Sequence, residues 1–249
     1  MASVKKPTCM SGLTENPTID LTHLKEQLNQ GPLKTQFEII ESLTLAETPG
    51  LKILMEFLRH PPETTPITVL GLTYQVLYDA GVVEVTDFLK TYFPDGVVPL
   101  KSGADIDYRP LQQKLLQQDF QAGDRLTLQK LCELAGPAAR GREWLYFTEV
   151  KGFPDQDLQT IDALWLAHSR GQFGFSVQRR LWLGVNRNWD RLWPKIGWRN
   201  GKNWTRYPQG FTWELSAPQG HLPLSNQLRG VRVMEALLSH PAWSQASIN

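Results

Sequence analysis

The stretch GHLPLSNQLRGVR, residues 220–232, places a histidine, an asparagine and two arginines close together. Such residues can ligate a metal, grip an anion or simply start a helix. Metal catalysis has little support. His23, His60, His168, His221 and His240 are scattered, no pair has i,i+4 spacing, and there is no HExxH motif or Cys/His cluster. Nucleophilic catalysis fares no better. GFSVQ, residues 174–178, resembles a nucleophile elbow but lacks its second glycine, so Ser176 reads as a helix cap. GWRNGKN, residues 197–203, is one residue short of a P-loop and lacks its Ser/Thr. Asp155, Asp157 and Asp162 suggest acid–base work, but Asp157 starts a helix, where a carboxylate favours the dipole.

Binding chemistry remains. Trp198, Trp204, Tyr207, Phe211 and Trp213 alternate with Arg199, Lys202 and Arg206 in one loop. As a group they describe an apolar surface bordered by cations. A flat, aromatic, anionic ligand suits it. Single-stranded nucleic acid qualifies through base stacking and phosphate contacts, and so does a tetrapyrrole with carboxylate side chains. A protein-docking role for the loop is the third reading. The following segment adds a polar stripe. On a helix from about Asn226 to Ser239, capped by Ser225, the residues Asn226, Arg229 and Arg232 step by three onto one face. Leu228, Val231, Met234 and Leu238 make the core arc, with Val233 and Leu237 beside the stripe. Arginines at a helix start oppose the dipole, which favours an anionic ligand there. Gly230 falls inside this helix, and Gly220–Pro223 reads as a structural corner.

The elements that must position these groups are helical. The 249 residues are 41% hydrophobic and 20% charged, the balance of a globular protein. No apolar run approaches the roughly 20 residues of a membrane span, and the first residues show no secretory or transit signal. Cys9 and Cys132 lie far apart, and Cys132 reads as a buried thiol in a reducing compartment. Residues 1–107 carry 8 Lys+Arg against 14 Asp+Glu, whereas residues 170–249 carry 11 against 3, and all nine tryptophans lie at or after Trp144. An acidic, Trp-free front and a basic, Trp-rich back indicate two domains.

Helical spacing predicts front helices around 19–28, 37–43, 51–58, 67–79 and 83–92, with no fixed repeat period. In the back half it predicts helices around 111–116, 120–134, 157–165 and 177–185, with WLYFTEV (144–150) also assigned as helix. Residues 194–224 are loop-rich. The expected division is a flexible 1–17, a helical bundle 18–92, a linker 93–107, a core 108–243 and a tail 244–249.

Three strings carry a resemblance: FPDQDLQTIDALWLAHSRGQFGFSVQRRLW (153–182), WPKIGW (193–198) and FTWELSAPQGHLPL (211–224). In order and spacing, over about residues 107–243, they resemble the genomes-uncoupled family of porphyrin-binding regulators of magnesium chelatase. The front looks like the extra N-terminal bundle of cyanobacterial members. The resemblance implies an all-α fold: a small N-terminal helical bundle, then an all-α porphyrin-binding core with a long aromatic loop. It implies a non-catalytic protein that binds protoporphyrin IX and Mg-protoporphyrin IX and stimulates magnesium chelatase in chlorophyll biosynthesis. The porphyrin-binding subunit of that enzyme is the expected partner. A cytoplasmic monomer is expected, with peripheral membrane association allowed and no nucleic acid. The expected ligand contacts are Asn226, Arg229, Arg232, Val233, Trp204, Tyr207, Phe211 and Trp198. In that reading the arginines meet the propionates, and Asn226 offers an oxygen to magnesium ahead of His221. The alternative stays a single-stranded nucleic-acid-binding module.

Overall fold

A computed structural model describes residues 21–225 and 230–244. The front half folds as five helices: α1 (Leu21–Gln30), α2 (Leu33–Leu45), α3 (Glu47–Arg59), α4 (Ile67–Asp79) and α5 (Val83–Tyr92). Pro66 begins α4 and Gly81, in the left-handed region at φ 64°, ends it, so local chemistry sets both boundaries. The third helix starts earlier than expected, because Pro49 and Gly50 fit its first turn. Leu28, Ile40, Leu43, Leu54 and Val69 are wholly buried among these helices.

The back half continues with α6 (Arg109–Leu116), α7 (Phe120–Ala135), α8 (Pro137–Arg142), α9 (Phe147–Val150), α10 (Asp155–His168), α11 (Phe175–Gly184), α12 (Trp189–Lys195) and α13 (Arg232–Leu238). The fold is all-α, and among the described residues the only strands form one hairpin, in which β1 (Arg199–Asn200) pairs antiparallel with β2 (Asn203–Trp204). A second core forms around Tyr108, Leu111, Phe120, Leu164, Trp165, Phe173 and Trp198. The two halves meet where α4 lies on α10. Gly71 permits this, since a Cβ there would stand 2.1 Å from the Ala167 carbonyl oxygen.

Several expectations change. Ser176 is not a cap. It lies within α11, whose N-cap is Gly174, and its N–H donates to the buried Asp162 at 2.8 Å. Asp162 therefore satisfies the helix start from α10. Asp157 does more than face a dipole: it is fully buried and accepts from Ser102 Oγ (2.5 Å), the Gly103 N–H (2.8 Å) and Tyr108 Oη (2.8 Å). These bonds tie residues 102–108 to α10. Only Phe147–Val150 of WLYFTEV is helical. The last helix begins at Arg232, and Gly230 sits at φ 87°, outside any helix. Val231 precedes this helix as its N-cap, so Ser225 does not cap it. Leu237, expected beside the polar stripe, is buried.

His168, in the last turn of α10, is buried and neither ring nitrogen has a hydrogen-bond partner among the described residues. Burial pushes its pKa down to about 4. The native pKa lies below the ordinary value, so as pH falls from about 6.5 towards 4 the unfolded chain takes up the proton first and stability is lost. His168→Leu is expected to stabilise the protein by about 1–3 kcal/mol. The advantage should widen between pH 7 and pH 4.5 in chemical denaturation. A gap that stays constant with pH would assign the acid sensitivity elsewhere.

Candidate functional site

A column of indoles builds the site. Trp182 on α11 stacks on Trp189 at 5.0 Å, Trp189 on Trp193 at 5.1 Å, and Trp193 on Trp198 at 5.5 Å. Arg187 lies over the Trp182 ring at 5.4 Å. Trp198 is fully buried, and its indole N–H donates to the His221 carbonyl at 2.8 Å. The hairpin hangs from this column. The Thr205 N–H donates to the Trp198 carbonyl (3.0 Å), and Thr205 Oγ1 donates to the Gly197 carbonyl (3.0 Å). Trp204 then stands edge-on to Trp193 at 5.6 Å.

His221 is a structural post. Nδ1 lies 2.6 Å from the Ile196 carbonyl, and Nε2 accepts the Thr212 N–H at 3.2 Å. This pattern assigns the proton to Nδ1. Burial holds its pKa below the usual range, and neither nitrogen has a lone pair left for a metal. The corner that His221 occupies is bound to α11 through Gln178, whose Nε2 donates to the Gly220 carbonyl (3.0 Å) and the Pro223 carbonyl (2.7 Å).

The hairpin, the loop after it and one face of α7 enclose a cleft of about 1010 Å³. Its lining includes Asp124, Arg125 and Leu128 from α7, Lys202 to Tyr207, Phe211, and Leu224–Ser225. Tyr207 is 51% exposed, Trp204 40% and Leu128 37%, so large apolar side chains face the open space. Phe211 backs them, 6.5 Å from Tyr207 and 6.0 Å from Trp213. Arg125, Lys202 and Arg206 are exposed on the rim and form no ion pair among the described residues. Arg199 differs: its Nη1 is held by Asp190 at 2.7 Å.

The expected contacts thus separate. Trp204, Tyr207 and Phe211 line the cleft. Trp198 does not, because its ring is consumed in the column and its N–H in the core. Arg232 and Val233 are not among the lining residues. Arg232 lies over the Phe147 ring at 5.4 Å, and Val233 packs against the core. Asn226 and Arg229 lie outside the described residues. The α7 face is what sequence reasoning missed. Asp124 and Leu128, four apart, share a helix stripe, but only contact with Leu224, a hundred residues on, turns that stripe into a wall.

Comparison with known proteins shows the family. The GUN4-like family model matches residues 101–241, and that of an ARM-like repeat domain, GUN4 N-terminal, matches residues 13–94. The chain belongs to the GUN4-like family. Within it, the Ycf53-like protein of Synechocystis sp. is 52% identical over 227 residues, covering 91% of this chain and 97% of that one. The chloroplastic tetrapyrrole-binding protein of Arabidopsis thaliana is 40% identical over 148 residues, 56% of each chain. The solved structure of GUN4 from Chlamydomonas reinhardtii superposes with a TM-score of 0.56 at 39% identity, covering 59% of this chain and 95% of that one. The front five helices match a GUN4 N-terminal domain described as ARM-like, although their sequence shows no fixed repeat period.

Proposed function

We propose that this GUN4-like protein binds a porphyrin in the cleft beside α7 and acts as a carrier and regulator, without catalysing a reaction. The supporting observation is an open cleft with exposed Trp204, Tyr207 and Leu128 on its walls and three exposed cations on its rim that form no ion pair among the described residues. At about 1010 Å³ it lies at the upper end of ordinary ligand pockets, which suits a large planar ligand better than a small metabolite. The rim guanidiniums of Arg125 and Arg206 match carboxylate geometry and suit a ring's acidic side chains. The tetrapyrrole-binding relative in Arabidopsis points to the same ligand class. In this reading the ligands are protoporphyrin IX and Mg-protoporphyrin IX, and the partner is the porphyrin-binding subunit of magnesium chelatase, whose magnesium insertion the complex stimulates. The site of action is the cytoplasm, with peripheral contact to membranes. No helix among the described residues is long and apolar enough to cross a membrane.

Titration with a soluble protoporphyrin, followed by fluorescence, should show saturable binding. Tyr207→Ala and Trp204→Ala should each weaken it by about 0.5–1.5 kcal/mol or more, the value of an aromatic contact. No saturation at micromolar ligand, or unchanged affinity in both variants, would overturn the assignment. Stacking on the same aromatics also favours single-stranded nucleic acid as the second reading. Affinity for an oligonucleotide that falls steeply with salt, with no porphyrin binding, would select it.

A further inference from the structure

Asp124 is the one carboxylate among the cleft-lining residues. It sits in the second turn of α7, and it is only 7% exposed. Its Oδ1 accepts the Leu224 N–H at 2.6 Å. That backbone is already clamped one residue earlier, where Gln178 Nε2 donates to the Pro223 carbonyl. Together, Gln178 and Asp124 hold the two polar ends of one peptide group, the Pro223 carbonyl and the Leu224 N–H, and Leu224–Ser225 forms part of the cleft wall.

We propose that Asp124 is a positioning residue of the cleft: its carboxylate latches the Leu224 backbone and so holds the wall in its ligand-complementary form. This rests on the porphyrin-binding reading above. The latch has a chemical setting. Burial pushes the Asp124 carboxyl up to about 7, although the Leu224 amide and Arg125 pull it down. Arg125 flanks it on α7, and Lys202, Arg206 and Tyr207 face the cleft from the loop. Behind its neighbour Gly123 lie Leu115 and Trp165, which carry no charge. A carboxylate accepts an N–H far better than a neutral acid does, so the latched population grows as Asp124 ionises. A ligand that fits only the latched wall has its apparent affinity scaled by that population.

The test compares the intact protein with Asp124→Asn and Asp124→Leu between pH 6 and 8, using soluble protoporphyrin. Affinity of the unchanged protein should rise about fivefold across this range, the contrast between charged and neutral hydrogen bonds. Asp124→Asn, whose amide oxygen accepts without titrating, should be nearly flat with pH and about fivefold weaker at pH 8. Asp124→Leu should be weaker still. Parallel pH profiles in the unchanged protein and Asp124→Asn would overturn the proposal. So would an affinity that falls with pH, which marks direct repulsion of the ligand's carboxylates. Amide hydrogen exchange without ligand supplies a separate arm: Leu224 should be protected, and protection should vanish in Asp124→Leu. A Leu224 amide that exchanges freely in the unchanged protein defeats the latch whatever the ligand does. If Leu224 is protected and no porphyrin binds, the latch stands as a structural feature and the ligand reading fails.

Discussion

Asp157→Ala is expected to lower stability by about 3–5 kcal/mol, a large fraction of what holds a domain together. The carboxylate is fully buried and accepts from two hydroxyls and a backbone N–H. Removing it leaves three donors without an acceptor, each costing about 1–3 kcal/mol and not fully additive. The loss extends along the chain. Ser102 Oγ in turn accepts the N–H groups of Ala104 and Ile106, and Thr160 donates to the Lys101 carbonyl. Burial and the neighbouring Asp157 keep the Tyr108 phenol protonated by pushing its pKa up, so it remains a donor throughout. Denaturant unfolding measures the effect, and proteolysis between residues 93 and 107 should accelerate. Asp157→Asn keeps one acceptor and should fall between. A loss below about 1 kcal/mol for the alanine variant would show that the segment finds other partners.

The second large effect is expected at Gly71. An alanine Cβ there would lie 2.1 Å from the Ala167 oxygen and 2.5 Å from its carbonyl carbon. Both sides of the clash are helix backbone, so α4 and α10 must separate. Overpacking of this kind costs about 1–3 kcal/mol, and a rigid contact belongs at the upper end. The better helix propensity of alanine returns roughly 1 kcal/mol. Gly71→Ala should therefore destabilise by about 2 kcal/mol, read as a lower thermal midpoint. The exposed interdomain pair Arg170–Glu41, at 2.6 Å, is too solvated to compensate. Gly141, within α8, is the control: a Cβ there meets nothing within 4 Å, and Gly141→Ala should stabilise by up to about 1 kcal/mol. Equal melting of Gly71→Ala and the unchanged protein would mean that the halves part without cost.

Much of the fold was legible because its boundaries are local. Pro66 and Gly81 bracket α4, and Asp119 caps α7 by accepting the Ala122 N–H at 3.1 Å. The short helices α8 and α12 were not legible. At six and seven residues they are too short to form alone and owe their existence to packing. Asp157 was misjudged because its partners lie about fifty residues upstream, beyond any periodic pattern. In the candidate site the aromatic loop announced itself by composition. Composition could not separate Trp198 from Trp204. Both are tryptophans in one loop, but one is a core rung and the other faces the cleft. The stripe of Asn226, Arg229 and Arg232 assumed one continuous helix. Among the described residues Gly230 stands at φ 87° and α13 starts only at Arg232, while Asn226 and Arg229 lie outside them.

The indole column has an optical consequence. Trp182, Trp189, Trp193 and Trp198 stack at 5.0–5.5 Å, and Trp204 touches Trp193 at 5.6 Å. At such spacing, excitation hops between rings before it is emitted, so five of the nine tryptophans behave as one chromophore. Its exposed terminus is Trp204, at the cleft. An acceptor bound there drains light absorbed deep in the core, and the depth of quenching does not count the rings that touch it. Trp204→Phe removes the ring nearest the cleft while leaving the buried rungs stacked, so the quenching that disappears with it is that ring's share and what remains passes from the buried indoles directly through space.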